Sequence, residues 1–387
     1  MSVSGRYLTF LSWSTNLVPG DTNGAADVFL RDRKAGTIER VSLGSAGQQG
    51  TAGAGASAAS ADGRYVAFES WAPNLVPGDT NNAYDVFVRD RSTGTTTLVS
   101  ASTAGLPANG SSDLNGFFPS RISSDGRYVI FESDATDLAA DQTSSHIEVY
   151  VRDLMTKSAK MVSVTSSGKP ANGDSYAGAI SGDGKWVVFT SVGKNLLGGL
   201  TTLYPQLFLH DMATGETRLI SKANDGTPAD GTSEGATFSS DDRYVVFESV
   251  AKDLGPGGSN GDVWRLDRTT GGLTLVSVAS DGTRGNYPSD GGEISADGRY
   301  VLFTTNATNL IPGDANGDTT DVLLRDLQNG TTTLENVSNA GVQANGDSAA
   351  CGISRNGSLI MFNSAGDNLI KNDTNRMVDI FLRGPLT

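Results

Sequence analysis

"DGRYVAFES", Asp62–Ser70, decides the fold, because the chain repeats it seven times. The phrase reads "SGRYLTFLS" at Ser4, "DGRYVIFES" at Asp125, "DGKWVVFTS" at Asp183 and "DDRYVVFES" at Asp241. It ends as "DGRYVLFTT" at Asp297 and "NGSLIMFNS" at Asn356. The second residue of each copy is Gly5, Gly63, Gly126, Gly184, Asp242, Gly298 and Gly357, at intervals of 58, 63, 58, 58, 56 and 59 residues. Self-similarity at a fixed period is the signature of a repeat architecture.

Each unit parses into four short strands. The phrase itself is strand B, a short apolar and β-branched run bounded by turn residues. Strand C follows a loop, as in "DVFVRD", Asp85–Asp90. A tight "RSTG" turn leads to strand D, "TTTLVS". A Gly/Asn-rich crossing such as "GLPANGSS" from Gly105 then leads to strand A of the next unit. The Asp-Gly pair between strands A and B predicts a two-residue hairpin, since both residues tolerate positive φ. Strand A is built of small residues, "GASAAS" to Ser60, "YAGAIS" to Ser181 and "AACGIS" to Ser354. Small residues suit innermost strands that converge on an axis. These features predict an all-β fold: a seven-bladed β-propeller of four-stranded antiparallel blades. It is expected as a single domain over 1–387, with units near 1–60, 61–123, 124–181, 182–239, 240–295, 296–354 and 355–387. The chain opens on a strand B and stops on a strand C, so incomplete first and last blades are expected.

The pattern S-x-D-G-R-Y-V-x-F-x-S … D-V-F-V-R-D-x-x-T-G resembles the WD-like repeat of TolB-type β-propellers, which occur widely in bacterial envelope and secreted proteins. The resemblance covers nearly the whole chain. Such propellers serve as partner-binding scaffolds, as companion domains of hydrolases and occasionally as lyases, so the resemblance implies the fold rather than one activity.

Composition narrows the function. With 29 Lys+Arg against 43 Asp+Glu, the formal charge of −14 argues against nucleic-acid binding, which needs clustered basic residues. No apolar run approaches the length of a membrane helix, so no membrane insertion is expected. The single cysteine, Cys351, excludes an intrachain disulfide framework. "MSVSGRYLTF" carries no secretory signal, although the composition leans towards an extracellular or periplasmic setting.

Candidate sites lie where the long B–C loops and D–A crossings share one end of the blades, because loops on a rigid scaffold carry function. The B–C loops repeat an acidic motif, "NLVPGDTNGAAD" in unit 1. It supplies Asp21, Asn23 and Asp27; Asp79, Asn81 and Asp85; Asp314, Asn316, Asp318 and Asp321; and Asp373, Asn375 and Asp379. Calcium takes six to eight oxygens from such residues, so these positions are candidate metal ligands and calcium a candidate cofactor. The competing reading is turn chemistry, since Asp and Asn close Asx-turns without metal. The motif fails in units 3, 4 and 5.

Departures from the repeat mark a ligand surface: Trp13 and Trp71 open the loops of units 1 and 2, and Phe117 and Phe118 sit in an enlarged crossing. Tyr176, Tyr204 and Tyr287 punctuate other loops, while Arg121 and Glu293 interrupt the small residues of strand A. Aromatics beside polar loops suit a protein, peptide or glycan partner. His146 and His210 lie in different units without a ligand signature, and no G-x-S-x-G or H-E-x-x-H occurs. The expected function is therefore binding. The alternatives are a polysaccharide lyase or glycosidase at the channel mouth, drawing on carboxylates such as Glu69, Glu132 and Glu248, and a structural repeat module of a larger assembly.

Overall fold

The computed structural model describes residues 1–114, 120–140, 144–198, 202–255 and 260–385. They form seven antiparallel sheets and two compact units, Met1–Ile220 and Ser221–Thr387.

The first unit holds four sheets. Blade 1 is β1 (Tyr7–Ser12), β2 (Asp27–Asp32) and β3 (Thr37–Arg40). Blade 2 is β4 (Ala54–Ala59), β5 (Tyr65–Ser70), β6 (Asp85–Asp90) and β7 (Thr95–Leu98). Blade 3 is β8 (Ser112–Asp113), β9 (Tyr128–Ser133), β10 (Glu148–Asp153) and β11 (Ser158–Met161). Blade 4 is β12 (Ser175–Ile180), β13 (Trp186–Ser191), β14 (Gln206–Asp211) and β15 (Thr217–Leu219). The second unit holds three. Blade 5 is β16 (Ser233–Phe238), β17 (Tyr244–Ser249), β18 (Asp262–Asp267) and β19 (Leu273–Leu275). Blade 6 is β20 (Ser289–Ile294), β21 (Tyr300–Thr305), β22 (Asp321–Asp326) and β23 (Thr331–Leu334). Blade 7 is β24 (Ser348–Ile353), β25 (Ile360–Ser364) and β26 (Asp379–Arg383). As expected, the first and last blades have three strands, and no helix occurs among the described residues.

The core of each blade follows from its B and C strands. Their central residues are opposed in register and stack as aromatic pairs: Phe68 on Phe87 at 5.6 Å between ring centroids, Phe189 on Phe208 at 5.5 Å and Phe362 on Phe381 at 5.4 Å. Cross-strand aromatic pairs add to burial. The Arg of the repeat phrase meets the Asp that closes strand C through two parallel hydrogen bonds, Arg64 Nε to Asp90 Oδ1 (3.0 Å) and Nη2 to Oδ2 (2.7 Å). Arg6–Asp32, Arg127–Asp153, Arg243–Asp267 and Arg299–Asp326 repeat it. The guanidinium holds each Asp well below the usual carboxylate range. The Asp also accepts backbone N–H groups of the C–D turn, as Asp90 does from Ser92 at 2.9 Å. This repeated pairing of the strand-B phrase's Arg with the strand-C Asp is therefore a fold clamp.

Two features differ from the sequence expectation. The A–B connection of blade 2 runs over residues 60–64 instead of two residues, and Asp62 Oδ1 organises it by accepting from Ser60 Oγ (2.7 Å) and the Arg64 N–H (2.9 Å). Its glycine still needs positive φ, +68° at Gly63. In blade 3 the regular inner strand shortens to Ser112–Asp113, and Ile122 meets Val129 as a separate bridge.

Neighbouring blades within each unit join in two ways. A Cβ on Gly63 would lie 2.3 Å from the ring of Tyr7, and one on Gly126 would lie 2.2 Å from the ring of Tyr65. Gly184 meets Tyr128, Gly298 meets Tyr244 and Gly357 meets Tyr300 in the same way. The strand-B glutamates supply the second joint. Glu69 accepts the N–H of Ala56 in its own blade (3.1 Å) and that of Leu114 in the next (2.9 Å). Glu132 accepts from Ala177 and Glu248 from Gly291 across the same kind of joint. The repeated Glu, read in sequence as a possible catalytic pair, bridges blades here.

Candidate functional site in the blade 2 loop

The B–C loops are closed by hydrogen bonds that the motif itself provides. In blade 2 the Ala83 N–H donates to Asn81 Oδ1 (3.1 Å), an Asx-turn. Asn81 Nδ2 then donates to Asp85 Oδ2 (2.9 Å) and to the Ala108 carbonyl in the D–A crossing (3.0 Å). Asn23 repeats this with Ala25, Asp27 and Gly50. Asn316 bonds Asp321 and Ala344, and Asn375 bonds Asp379. The leading Asn of "NLVPG" stitches as well: Asn74 Oδ1 accepts the Thr51 N–H (3.0 Å), and its Nδ2 donates to the Gln49 carbonyl (2.9 Å). Each loop is thus tied to the crossing beside it.

The copies differ in what faces the carboxylates. In blade 1, Arg40 Nη1 lies 3.1 Å from Asp21 Oδ1 and 3.0 Å from Asp27 Oδ2. In blade 6, Gln343 Nε2 donates to Asp314, Asn316 and Asp321 at 2.9–3.0 Å. The Arg40 position is Leu98 in blade 2, and the Gln343 position is Pro107. Asp79 and Asp85, both buried, therefore lack the cation of blade 1 and the glutamine of blade 6. Ser100 Oγ donates to Asp85 Oδ1 at 2.6 Å. Burial, with the Asp79 charge as a lesser cause, still pushes Asp85 up to about 6, and burial raises Asp79 too.

An exposed aromatic pair borders the same loop. Trp71, 50% exposed, lies at its start, and Tyr84, 37% exposed, at its end; their ring centroids are 4.5 Å apart. Trp13 takes the Trp71 position in blade 1 and is 68% exposed. Tyr84 was not singled out in the sequence; its place directly before the first Asp of strand C is the signal that marks it.

The other sequence candidates are dispersed. Phe117 and Phe118 lie outside the described residues. Arg121 is 1% exposed, and its charge favours the ionised form of Glu69. Glu293 is buried on β20. In blade 7, Asn375 is exposed while Asp373 and Asp379 are half-buried. Asp318 is exposed in the blade 6 loop. His210 is buried with Nδ1 at 2.9 Å from Thr217 Oγ1, and burial lowers its pKa to about 4. His146 stands apart beside Asp174. Among the described residues, no group of three or more His, Cys, Asp and Glu side chains is arranged to hold a metal ion.

No protein-family model matches the chain, and no curated protein matches it. Solved structures do. An oligogalacturonate lyase in complex with manganese is 13% identical, with a TM-score of 0.55 over 99% of this chain and 86% of that one. The chain is a seven-bladed β-propeller. The TolB-type resemblance of its repeats holds at the level of that fold. A prolyl endopeptidase is 13% identical, with a TM-score of 0.54 over 94% of this propeller and 47% of that chain. TolB from Acinetobacter baumannii is 18% identical, with a TM-score of 0.45 over 79% of this propeller. The propeller spans 58% of the length of that TolB. At these identities the likeness is one of fold alone. No helix among the described residues is long and apolar enough to cross a membrane.

Proposed function

We propose that this propeller is a non-enzymatic binding module acting outside the cytoplasm, with its recognition surface at the loop end of blades 1 and 2. It takes a peptide or glycan, and neither nucleic acid nor membrane insertion is involved. The exposed Trp71–Tyr84 pair beside an uncompensated acid pair carries the reading. Two rings at 4.5 Å offer a rigid apolar platform at small entropic cost, and aromatic anchors of this kind dominate binding surfaces. The buried carboxylates of Asp79 and Asp85 add negative potential beside the rings, which favours a cationic group on the ligand. Intrinsic tryptophan fluorescence, titrated with oligosaccharide and peptide collections, tests it. Trp71→Ala is expected to weaken any ligand found by about tenfold or more. Unchanged affinity in both Trp71→Ala and Trp13→Ala would overturn the proposed surface.

Calcium belongs to this proposal at blade 2 alone. Arg40 already neutralises the blade 1 pair, and Gln343 directs N–H groups into the blade 6 loop, so neither donor set fits a cation. At blade 2 a divalent ion would relieve the burial of Asp79 and Asp85. Melting in millimolar calcium against chelator is expected to show a rise in Tm that Asp79→Asn removes. Superimposable curves for the unmodified chain would eliminate the ion.

A further inference from the structure

Two blades show which chemistry answers the acid that opens strand C. In blade 1, Arg40 Nη1 lies 3.0 Å from Asp27 and 3.1 Å from Asp21. In blade 5, Arg284 Nε lies 3.1 Å from Asp262, and its guanidinium carbon stands 5.7 Å from the centre of the Trp264 ring. The two arginines come from different places. Arg40 opposes Phe29 from β3, whereas Arg284 belongs to the crossing, where it bridges Val278. Both answers are guanidinium groups, and one of them also lies over an aromatic ring.

Blade 2 keeps the acid and has neither arginine. Leu98 takes the Arg40 position opposite Phe87, and Pro107 takes the Arg284 position opposite Ala101. Residues 12–27, 41–54, 70–85 and 99–112 are the B–C loops of blades 1 and 2 and the crossings that follow them. They hold four aspartates and no lysine or arginine. Arg40, at the end of β3, has a side chain 8% exposed and is committed to Asp21 and Asp27. Blade 2 presents instead the exposed Trp71 and Tyr84 rings, with Trp13 at the matching place in blade 1. Blade 6 offers an internal contrast. Its loop and crossing, 305–321 and 335–348, also lack lysine and arginine, but they hold no aromatic residue, and Gln343 donates to Asp314 and Asp321. At blade 2 a negative field and exposed aromatic faces coincide.

We propose that the surface at blades 1 and 2 recognises an arginine side chain of a polypeptide partner, its guanidinium stacked on the Trp71–Tyr84 pair within the field of Asp79 and Asp85. The inference rests on the recognition surface proposed above and names what that surface takes. The partner supplies in trans what Arg40 and Arg284 supply within the chain. Arginine fits better than lysine, because a planar and weakly hydrated guanidinium stacks on a ring, whereas an ammonium keeps its water. A neutral glycan gains nothing from the carboxylates. Calcium on Asp79 and Asp85 would compete for the same charge, so the test is made in chelator.

The probes are acetyl-Gly-Arg-Gly-amide and its twin with citrulline, which keeps the shape of arginine without the charge. Each is titrated into the full chain while the indole N–H resonances of the tryptophans are followed. The Trp71 signal is expected to shift saturably, with the arginine peptide about fivefold tighter than its twin. That preference should vanish between about 20 mM and about 0.5 M salt, a readout on the unmodified chain, and also in Asp79→Asn. Equal binding of the two peptides at Trp71 would leave the surface standing and overturn the choice of arginine. Failure of either peptide to move Trp71, while an oligosaccharide does, would overturn it in favour of a glycan. A response at Trp186 alone would place the peptide elsewhere and overturn it as well.

Discussion

Gly126 shows how much one residue type settles. Its φ is +76°, and a Cβ there would lie 2.2 Å from the Tyr65 ring of the neighbouring blade. Gly126→Ala is expected to cost about 2–4 kcal/mol, because backbone strain and overpacking add. Gly105 has a similar φ of +78° but nothing within 4 Å of a Cβ, so Gly105→Ala should cost only about 1 kcal/mol. Urea denaturation of both variants checks the contrast, and equal losses would remove packing from the account. That the glycine of the phrase is needed was legible in the sequence, because Asp-Gly marks a turn. That it seats the tyrosine of the previous copy was not, since Tyr65 and Gly126 lie in different repeats. Asp79 and Asp314 pose the same difficulty. Their motifs look alike, but Pro107 faces one loop and Gln343 the other, each from a crossing that the local pattern does not connect to it.

At the scale of the element, strands B and C were readable from short apolar runs bounded by turn residues, and the small inner strands from their composition. The inner strands pair irregularly, with register shifts at Ala54/Ser57 in β4 and Asp290/Glu293 in β20. Bulges of this kind leave no sequence signature beyond glycine. The bridging glutamate is the element-scale device that responds to pH. Glu248 is half-buried, accepts the Gly291 N–H at 3.1 Å and is pushed up to about 7, with loss of solvent as the first cause. A carboxyl whose folded pKa exceeds its unfolded value near 4.5 stabilises fully below that value. The contribution is lost as pH rises through about 7. Glu248→Gln keeps an acceptor for Gly291 and is expected to flatten the dependence of Tm on pH between 5 and 8. An unaltered profile would place the titration elsewhere.

Over the whole molecule these carboxylates add up. Asp85 at about 6 and Glu148 at about 7 are raised by burial in the same sense as Glu248. A formal charge of −14 adds self-repulsion in the folded state at neutral pH. Against them, the arginine-held Asp32, Asp90 and Asp267 stabilise above the unfolded carboxylate pKa and lose that contribution as pH falls towards their depressed values. Both groups together predict greatest stability between about pH 4 and 6, with Tm falling from pH 5.5 to pH 8. A calorimetric series in one buffer system decides this, and a Tm that climbs towards pH 8 would contradict it. At 37% hydrophobic residues and 48 glycines, the chain relies on many small, repeated joints.

Those joints have a consequence for how such a chain can change length. The tyrosine of a joint belongs to one copy of the phrase and the glycine to the next, so the second, third and sixth copies each carry one half of two such connectors. Excising the stretch from Gly126 to Asp183 would bring Tyr65 against Gly184, restoring the same plug and socket from different donors. Unequal crossing-over between copies of the gene segment would thus yield chains whose connectors are intact at birth. Selection could then act on loop content, as in the divergent loop sequences of units 3, 4 and 5, while the fastening between repeats stays constant.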